Sequence, residues 1–337
     1  MGSAEESYAK LARYCHNMKK TNPDSEFFIE TEGGNCFKFF FMALEQCIRR
    51  FRNVMRPIII VDGRTLNSKY QGKLIITTCQ DANIQIYPLA FGIVDSENDM
   101  SMRWFFTKLR EVIEKVEDLA FVIDREQPLI NSMAEVFPDA HHGYCMYHIQ
   151  GNLKTRMSIQ HITSNNAESF NALFKKDREL LILALIENIC TKLQQWFHDQ
   201  HVELQNCTSV LAPAQEERLF KAAELPKQLN VEPLDELRFS VECALAVAMY
   251  RGFAARILCS HYYTSNYLRV AYAKTIFPLP NEVEWEILDH IRPLNILLSP
   301  FIEPHGSKRS STSRIPSTGE FPRPCRYNWC KSIGHTR

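Results

Sequence analysis

The sequence predicts an α/β fold, and two patterns carry that prediction. Three β-branched or apolar runs follow one another from Pro57, PIIIVDG, GKLIITTCQDAN and QIYPLAFGIVD, each bounded by Gly, Asn, Asp or Pro. They read as three strands joined by tight turns. Helical and extended patterns then alternate. The order strand, strand, strand, helix, strand, helix, strand, helix gives antiparallel strands first and parallel ones after, in a mixed sheet flanked by helices.

Each element has a local reason. Ser3 followed by Glu6 is a capping-box pattern, and Tyr8, Leu11, Ala12 and Cys15 recur at helical spacing, which predicts a short amino-terminal helix. After Pro23 the stretch Glu26–Glu32 reads as a strand, and Cys36–Met55 is an apolar segment ending in a basic cluster, Arg49, Arg50, Arg52 and Arg56. Beyond the three central strands, Ser101–Val116 puts Trp104, Phe105, Leu109, Val112 and Ile113 on one helical face. Leu119–Asp124 is a further buried strand, and Pro128–Phe137 is a second helix opening on a favourable proline. A third helical pattern runs from Asn165 to His198, with Phe170, Leu173, Phe174, Leu181, Leu185, Ile189, Leu193 and Trp196 on or near one stripe. Residues 199–300 read as mostly helical. Residues 306–337 are rich in Ser, Pro and Arg, with seven Lys or Arg against one Glu, a local charge of about +6 that predicts a disordered basic tail. The organisation expected is a flank at 1–56, an α/β core at 57–198, a helical region at 199–300 and the tail at 301–337.

Composition excludes several classes. With 337 residues and 45% of them apolar, the chain is long enough to bury the core of two domains. No apolar run reaches the roughly 18 to 20 residues of a bilayer crossing, so no membrane partner is expected. The amino end, MGSAEESYAK, lacks the apolar stretch of a secretory signal, and an intracellular protein is expected. Of 11 cysteines, Cys36, Cys47, Cys79 and Cys190 stand singly in apolar segments, as small buried hydrophobes in a reducing compartment do. Lys plus Arg and Asp plus Glu balance at 39 each. That zero averages an acidic body and basic stretches, so it does not exclude DNA.

Two carboxylates stand out. Asp62 lies at the carboxyl end of the first central strand and Asp124 at the end of the strand after the first helix, the edge where open α/β sheets bind ligands. Paired carboxylates repel unless a cation lies between them, and such hard oxygen ligands suit Mg²⁺ or Mn²⁺; a cap on the following turn is the alternative for each. Glu168, three residues after Asn165 at the start of a helical pattern, is the candidate third carboxylate or simply a capping-box glutamate.

Over the segments VDGRTLNSKYQGKLIITTCQDANIQIYPLAFGIVDSENDMSMRWFFTKLREVI, FVIDREQPLINSMAEVFPDAHHGYCMYHIQGNLK and TSNNAESFNALFKKDREL, the chain closely resembles plant Mutator-like element transposases of the MuDR type. The resemblance covers about residues 1–154 and resumes in pieces afterwards. It implies a ribonuclease H-like catalytic core in which Asp62, Asp124 and Glu168 hold two Mg²⁺ (or Mn²⁺) ions for phosphoryl transfer on DNA. It further implies a nuclear protein whose partner is the terminal inverted repeat DNA of an element, and which can form a homo-oligomer. Cys145 and His148, in CMYH, match the family's Cys-x-x-His motif; as a zinc site the pair lacks ligands.

The chain also departs from the family. Only 19 residues separate His148 from Glu168, where the family carries a long helical insertion. The Cys-x-Cys half of the SWIM finger is missing, Val241-Glu242-Cys243 stands where its Cys-x-His belongs, and Cys259 and His261 fall outside the finger's positions. The tail PCRYNWCKSIGHTR resembles a truncated zinc knuckle in which Cys325, Cys330 and His335 are weak zinc candidates, beside Lys308 and Arg309 as basic DNA contacts. These losses leave a second reading, a non-catalytic DNA-binding regulator that contacts promoter DNA, and a third, a decayed element copy.

Overall fold

The β-branched runs in the middle of the chain pair with one another, and the rest of the protein packs on the sheet they form. The computed structural model describes residues 3–33, 36–68, 72–124, 126–144, 172–223, 232–233, 239–240 and 244–286. In chain order the first elements are α1 (Ala4–Ala9), α2 (Leu11–Thr21), β1 (Glu26–Glu32), β2 (Cys36–Ala43), α3 (Glu45–Val54), β3 (Ile58–Leu66), β4 (Gly72–Gln80) and β5 (Ile86–Val94). They are followed by α4 (Asp99–Ile113), β6 (Ala120–Ile123), α5 (Gln127–Val136) and β7 (His141–Tyr144). Further on come α6 (Ile182–Gln205), α7 (Pro213–Ala222), the two-residue strands β8 (Glu232–Pro233) and β9 (Phe239–Ser240), α8 (Ala244–Tyr250) and α9 (Ser265–Ala271). All the described residues fall within one compact unit, residues 1–299.

The sheet has seven strands in the order β1-β2-β5-β4-β3-β6-β7. Pairing is antiparallel from β1 through to β3, and β6 and β7 then run parallel to β3, as the element order predicts. Residues 26–43 add two strands to this same sheet.

Helices cover both faces. On one, α4 sends Phe105 to Phe41 and Phe106 to Phe121, with ring centroids 5.4 and 5.9 Å apart, and Gly92 leaves the space that the Phe105 ring occupies. On the other, Phe197 of α6 meets Tyr87, and Phe174 meets Phe91 edge-on. A register shift opposite Glu30 and Thr31 lets β2 serve both faces, because the extra residue of a bulge reverses the alternation of side chains. Phe37 thus packs on Tyr8 of α1, whereas Phe39 packs on Trp104 of α4. Cys47, Cys79 and Cys190 are buried free thiols and Cys36 is half-buried, and burial pushes the Cys190 thiol up to about 11. No helix among the described residues is long and apolar enough to cross a membrane.

Two expectations change. The amino-terminal helix keeps its Ser3–Glu6 capping box but continues through α2 to Thr21. The long helix expected from Asn165 is interrupted: a 3-10 turn at Asp177–Glu179 and an extended Leu181 precede α6. Tertiary contacts override the helical stripe there. Asp177 is buried and held by Lys192 and Asn188, while the Arg178 carbonyl accepts from Asn67 N–H at 2.9 Å.

A strap formed by residues 271–286 crosses α2 and α3 and is fixed by buried polar groups. The Asn22 amide both donates to and accepts from the Phe277 backbone at 2.9 Å, and Gln46 Nε2 donates to Thr275 O at 3.1 Å. Tyr87 Oη donates to the Gln46 and Ala271 carbonyls. At the β4–β5 turn, Asp81 accepts from Asn83 N, Gln85 N and Tyr272 Oη at 2.8 to 3.0 Å.

Burial pushes the Asp81 carboxyl up from 3.8 to about 6, against the lowering effect of those three donors. Its folded pKa exceeds the unfolded one, so its contribution to stability is full below pH 3.8 and is lost as pH rises through 6. Asp81→Asn cannot titrate and keeps an acceptor for the two backbone amides. Urea unfolding at pH 4, 5, 6 and 7 should show the wild type losing roughly 2 to 3 kcal/mol relative to Asp81→Asn across that range. Parallel stability curves for the two proteins would refute the assignment.

Candidate active site

The parallel ladder between β3 and β6 is short: Ile58, Ile59 and Ile60 pair with Ala120, Phe121 and Val122. Two residues beyond Ile60 is Asp62, and two beyond Val122 is Asp124. The register therefore sets the two carboxylates level on neighbouring strands, where backbones run about 4.8 Å apart. One correction follows for Asp62. Its strand does not end there, because β3 continues along β4 as far as Leu66 opposite Gly72; what ends is the pairing with β6.

The gap opened by that ending is a cleft of about 200 Å³ lined by Asp62, Gly63, Arg64, Thr65, Lys73, Glu97, Asp124, Glu126 and Leu129. Asp62 is buried, at 4% exposure, and its Oδ2 lies 3.2 Å from the Arg64 guanidinium. Burying a carboxylate is costly without such a partner. Across the cleft Lys73 Nζ lies 2.8 Å from Glu97 Oε2.

Glu97 and Glu126 carry no periodic signal, and sequence reading missed both. Glu97 stands in the loop before α4, and Glu126 is the residue before the first turn of α5, its side chain making no cap. The sequence contained two cues: Glu126 follows Asp124 at the two-residue spacing of strand neighbours, and Gly63 follows Asp62. A Cβ at Gly63 would lie 1.8 Å from Glu97 Oε1, so a side chain there would have to displace the Glu97 carboxylate. Burial, then repulsion by Glu97 and a hydrogen bond with it, push the Glu126 carboxyl up from 4.5 to about 7, with Lys73 opposing and Asp124 adding. Near neutral pH the Glu126 carboxyl is thus partly protonated.

The other predicted residues are placed as follows. Glu168, Cys145, His148, Cys243, Lys308, Arg309, Cys325, Cys330 and His335 lie outside the described residues. Arg49 pairs with Glu45 at 3.2 Å, Arg52 with Glu114 at 3.0 Å and with the Val112 carbonyl, and Arg56 stacks over the Tyr263 ring at 5.7 Å. The Arg50 Nε is buried. Cys259 is a half-buried free thiol, and His261 packs on Tyr262 and Tyr267. Among the described residues no three His, Cys, Asp or Glu side chains converge as a ready-made metal cage.

The carboxyl titration of Glu126 reports on this arrangement, and it can be followed by carbon NMR in the presence of a chelator. Glu97→Gln should lower its midpoint from about 7 while leaving the part due to burial, and Lys73→Met should raise it. Midpoints that do not move in these opposite directions would show that the three side chains do not meet.

Comparison with known proteins fits this location. Residues 58–152 match the model of the MULE transposase domain, a span that starts at β3 and contains Asp62, Glu97, Asp124 and Glu126. The PKS-NRPS hybrid synthetase cheA of Chaetomium globosum is 22% identical over 184 residues, which is 52% of this chain and 4% of that protein. The chain thus spans only a small fraction of the length of that curated relative. Residues 58–152 thus carry a match to the MULE transposase domain, the domain of Mutator-like element transposases.

Proposed function

We propose that this chain is a transposon-derived DNA-processing protein whose MULE domain is a ribonuclease H-like core catalysing phosphoryl transfer at element ends. The observation that carries the reading is the level pair Asp62 and Asp124 at the head of one cleft inside the matched domain. The order of the five strands β3 to β7, with β5-β4-β3 antiparallel and β6 and β7 parallel beside β3, supports the fold assignment.

The donors suit a hard divalent cation. All four carboxylates lining the cleft offer oxygen alone. Asp62, Asp124 and, in this proposal, Glu168 would hold Mg²⁺ or Mn²⁺, which when bound supplies an activated water or 3′-hydroxyl and neutralises the leaving oxygen.

The chain's own groups define the rest. Four carboxylates against Arg64 and Lys73 leave the cleft at about −2 when all are ionised, a field that repels a phosphodiester by itself. Admission of DNA is therefore conditional on added positive charge. Arg64 places an opposite charge beside the buried Asp62. Leu129 contributes an apolar side chain to the cleft's lining. The DNA partner and the nucleus as its compartment are parts of the same proposal.

The test is strand cleavage of terminal inverted repeat DNA by the purified chain with Mg²⁺ or Mn²⁺. Asp62→Asn and Asp124→Asn should each reduce cleavage by about 10²-fold or more, with binding of the duplex at low salt retained. Cleavage equal in wild type and variants would sink the catalytic reading. Binding without any cleavage would assign the protein to non-catalytic DNA recognition.

A further inference from the structure

One group of cations lies outside the cleft and takes no part in its charge balance. Lys175, Lys176 and Arg178 fall in the turn that interrupts the helical stripe before α6. Phe174 and Asp177, three residues apart, both face inward: Phe174 is fully buried against Phe91, and Asp177 is buried and held by Lys192 and Asn188. Lys192 Nζ also donates to the Leu173 carbonyl at 2.8 Å. With those two side chains committed to the interior, Lys175 and Lys176 stand exposed and Arg178 half-buried. Neither ammonium has a hydrogen bond or ion pair among the described residues. Lys192 offsets Asp177, so the turn shows three positive charges against the one exposed carboxylate of Glu179, a net of about +2.

The turn is also fixed in place. Asn67 N–H donates to the Arg178 carbonyl at 2.9 Å, and the Arg178 guanidinium donates to the Thr65 carbonyl at 3.5 Å. Thr65 lines the acidic cleft, so the cations are tied to β3 at the cleft's rim. A solvated charge run is the simpler reading of any lysine pair. Against it stand the aspartate buried below the turn, costly without Lys192, and the two bonds to β3, which hold the cations at one place relative to the cleft.

We propose that Lys175, Lys176 and Arg178 form a phosphate-binding edge for duplex DNA, contacting backbone phosphates that flank the cleft. This rests on the reading of the chain as a DNA-processing protein. A cleft at about −2 repels a phosphodiester, and the turn beside it supplies attraction from outside. Contacts of this kind position a duplex without reading its bases, so the edge acts on any sequence and needs no divalent cation.

The experiment is fluorescence anisotropy of the full chain with a labelled duplex of arbitrary sequence and a chelator, between roughly 50 and 200 mM salt. Lys175→Gln combined with Lys176→Gln should weaken binding by about 10-fold or more near 100 mM salt, and should make the slope of log K against log salt shallower by about 2. Removing two charges elsewhere, by Lys115→Gln combined with Arg218→Gln, should leave the slope within about half a unit of wild type. Both double variants should melt cooperatively. Wild-type affinity and slope in the lysine variant, or an equal loss in the control pair, would overturn the edge and leave DNA binding standing. Failure of the wild type to bind any duplex at about 50 mM salt would instead remove the DNA reading on which the edge rests. Should the double lysine variant not fold, the single variants decide: each should shift the slope by about 1, and no shift in either overturns the proposal.

Discussion

Three residue pairs of parallel ladder, Ile58–Ile60 against Ala120–Val122, set the position of everything chemical in this protein. While the ladder lasts, β3 and β6 fill each other's backbone hydrogen bonds and leave no room between them. Where it stops, β3 remains paired with β4 while the chain after β6 turns away into α5. The two strands can then present acids where a ladder would have buried hydrogen-bonded backbone. Extending the ladder by two residues would close the cleft; shortening it by two would separate Asp62 from Asp124 in height.

Charge in the cleft follows from that geometry. Acids drawn together on adjacent elements must be neutralised, and the chain does so in separate ways. Arg64 pairs with Asp62 along one strand, at the two-residue spacing that shares a face. Lys73 pairs with Glu97 across elements, and Glu126 takes a proton near neutral pH. Each device is local and reversible, which suits a site whose charge changes when a ligand enters.

Much of the scaffold was legible in the sequence because its signals are local. The runs from Pro57 to Val94, the helix of Trp104 and Phe105 and the strand ending before Asp124 show their period in short windows. Asp62 and Asp124 were legible for the same reason, each standing at a strand terminus or beside a glycine. Glu97 and Lys73 were not, since 24 residues separate them and neither interrupts a pattern. The arginines near α3 show another side of local reading. A run of like charge suggested one surface, yet Arg49, Arg52 and Arg56 turn to Glu45, Glu114 and Tyr263. Likewise the stripe from Asn165 hid the turn at Asp177, which is held by Lys192 from the following helix and by Asn67 from far earlier in the chain.

The hydroxyl of Ser7 accepts a hydrogen bond from Leu183 N at 3.0 Å, so a half-buried amide at the start of α6 is satisfied by α1. During synthesis that first helix emerges long before its partner. It must remain undocked until some 176 residues have followed it, and loops of that length close late because their ends must meet against chain entropy. The strap that binds Asn17 and Asn22 by way of Glu286 and Phe277 comes later still. The helices of residues 4–21 are thus made well before the elements that hold them in place.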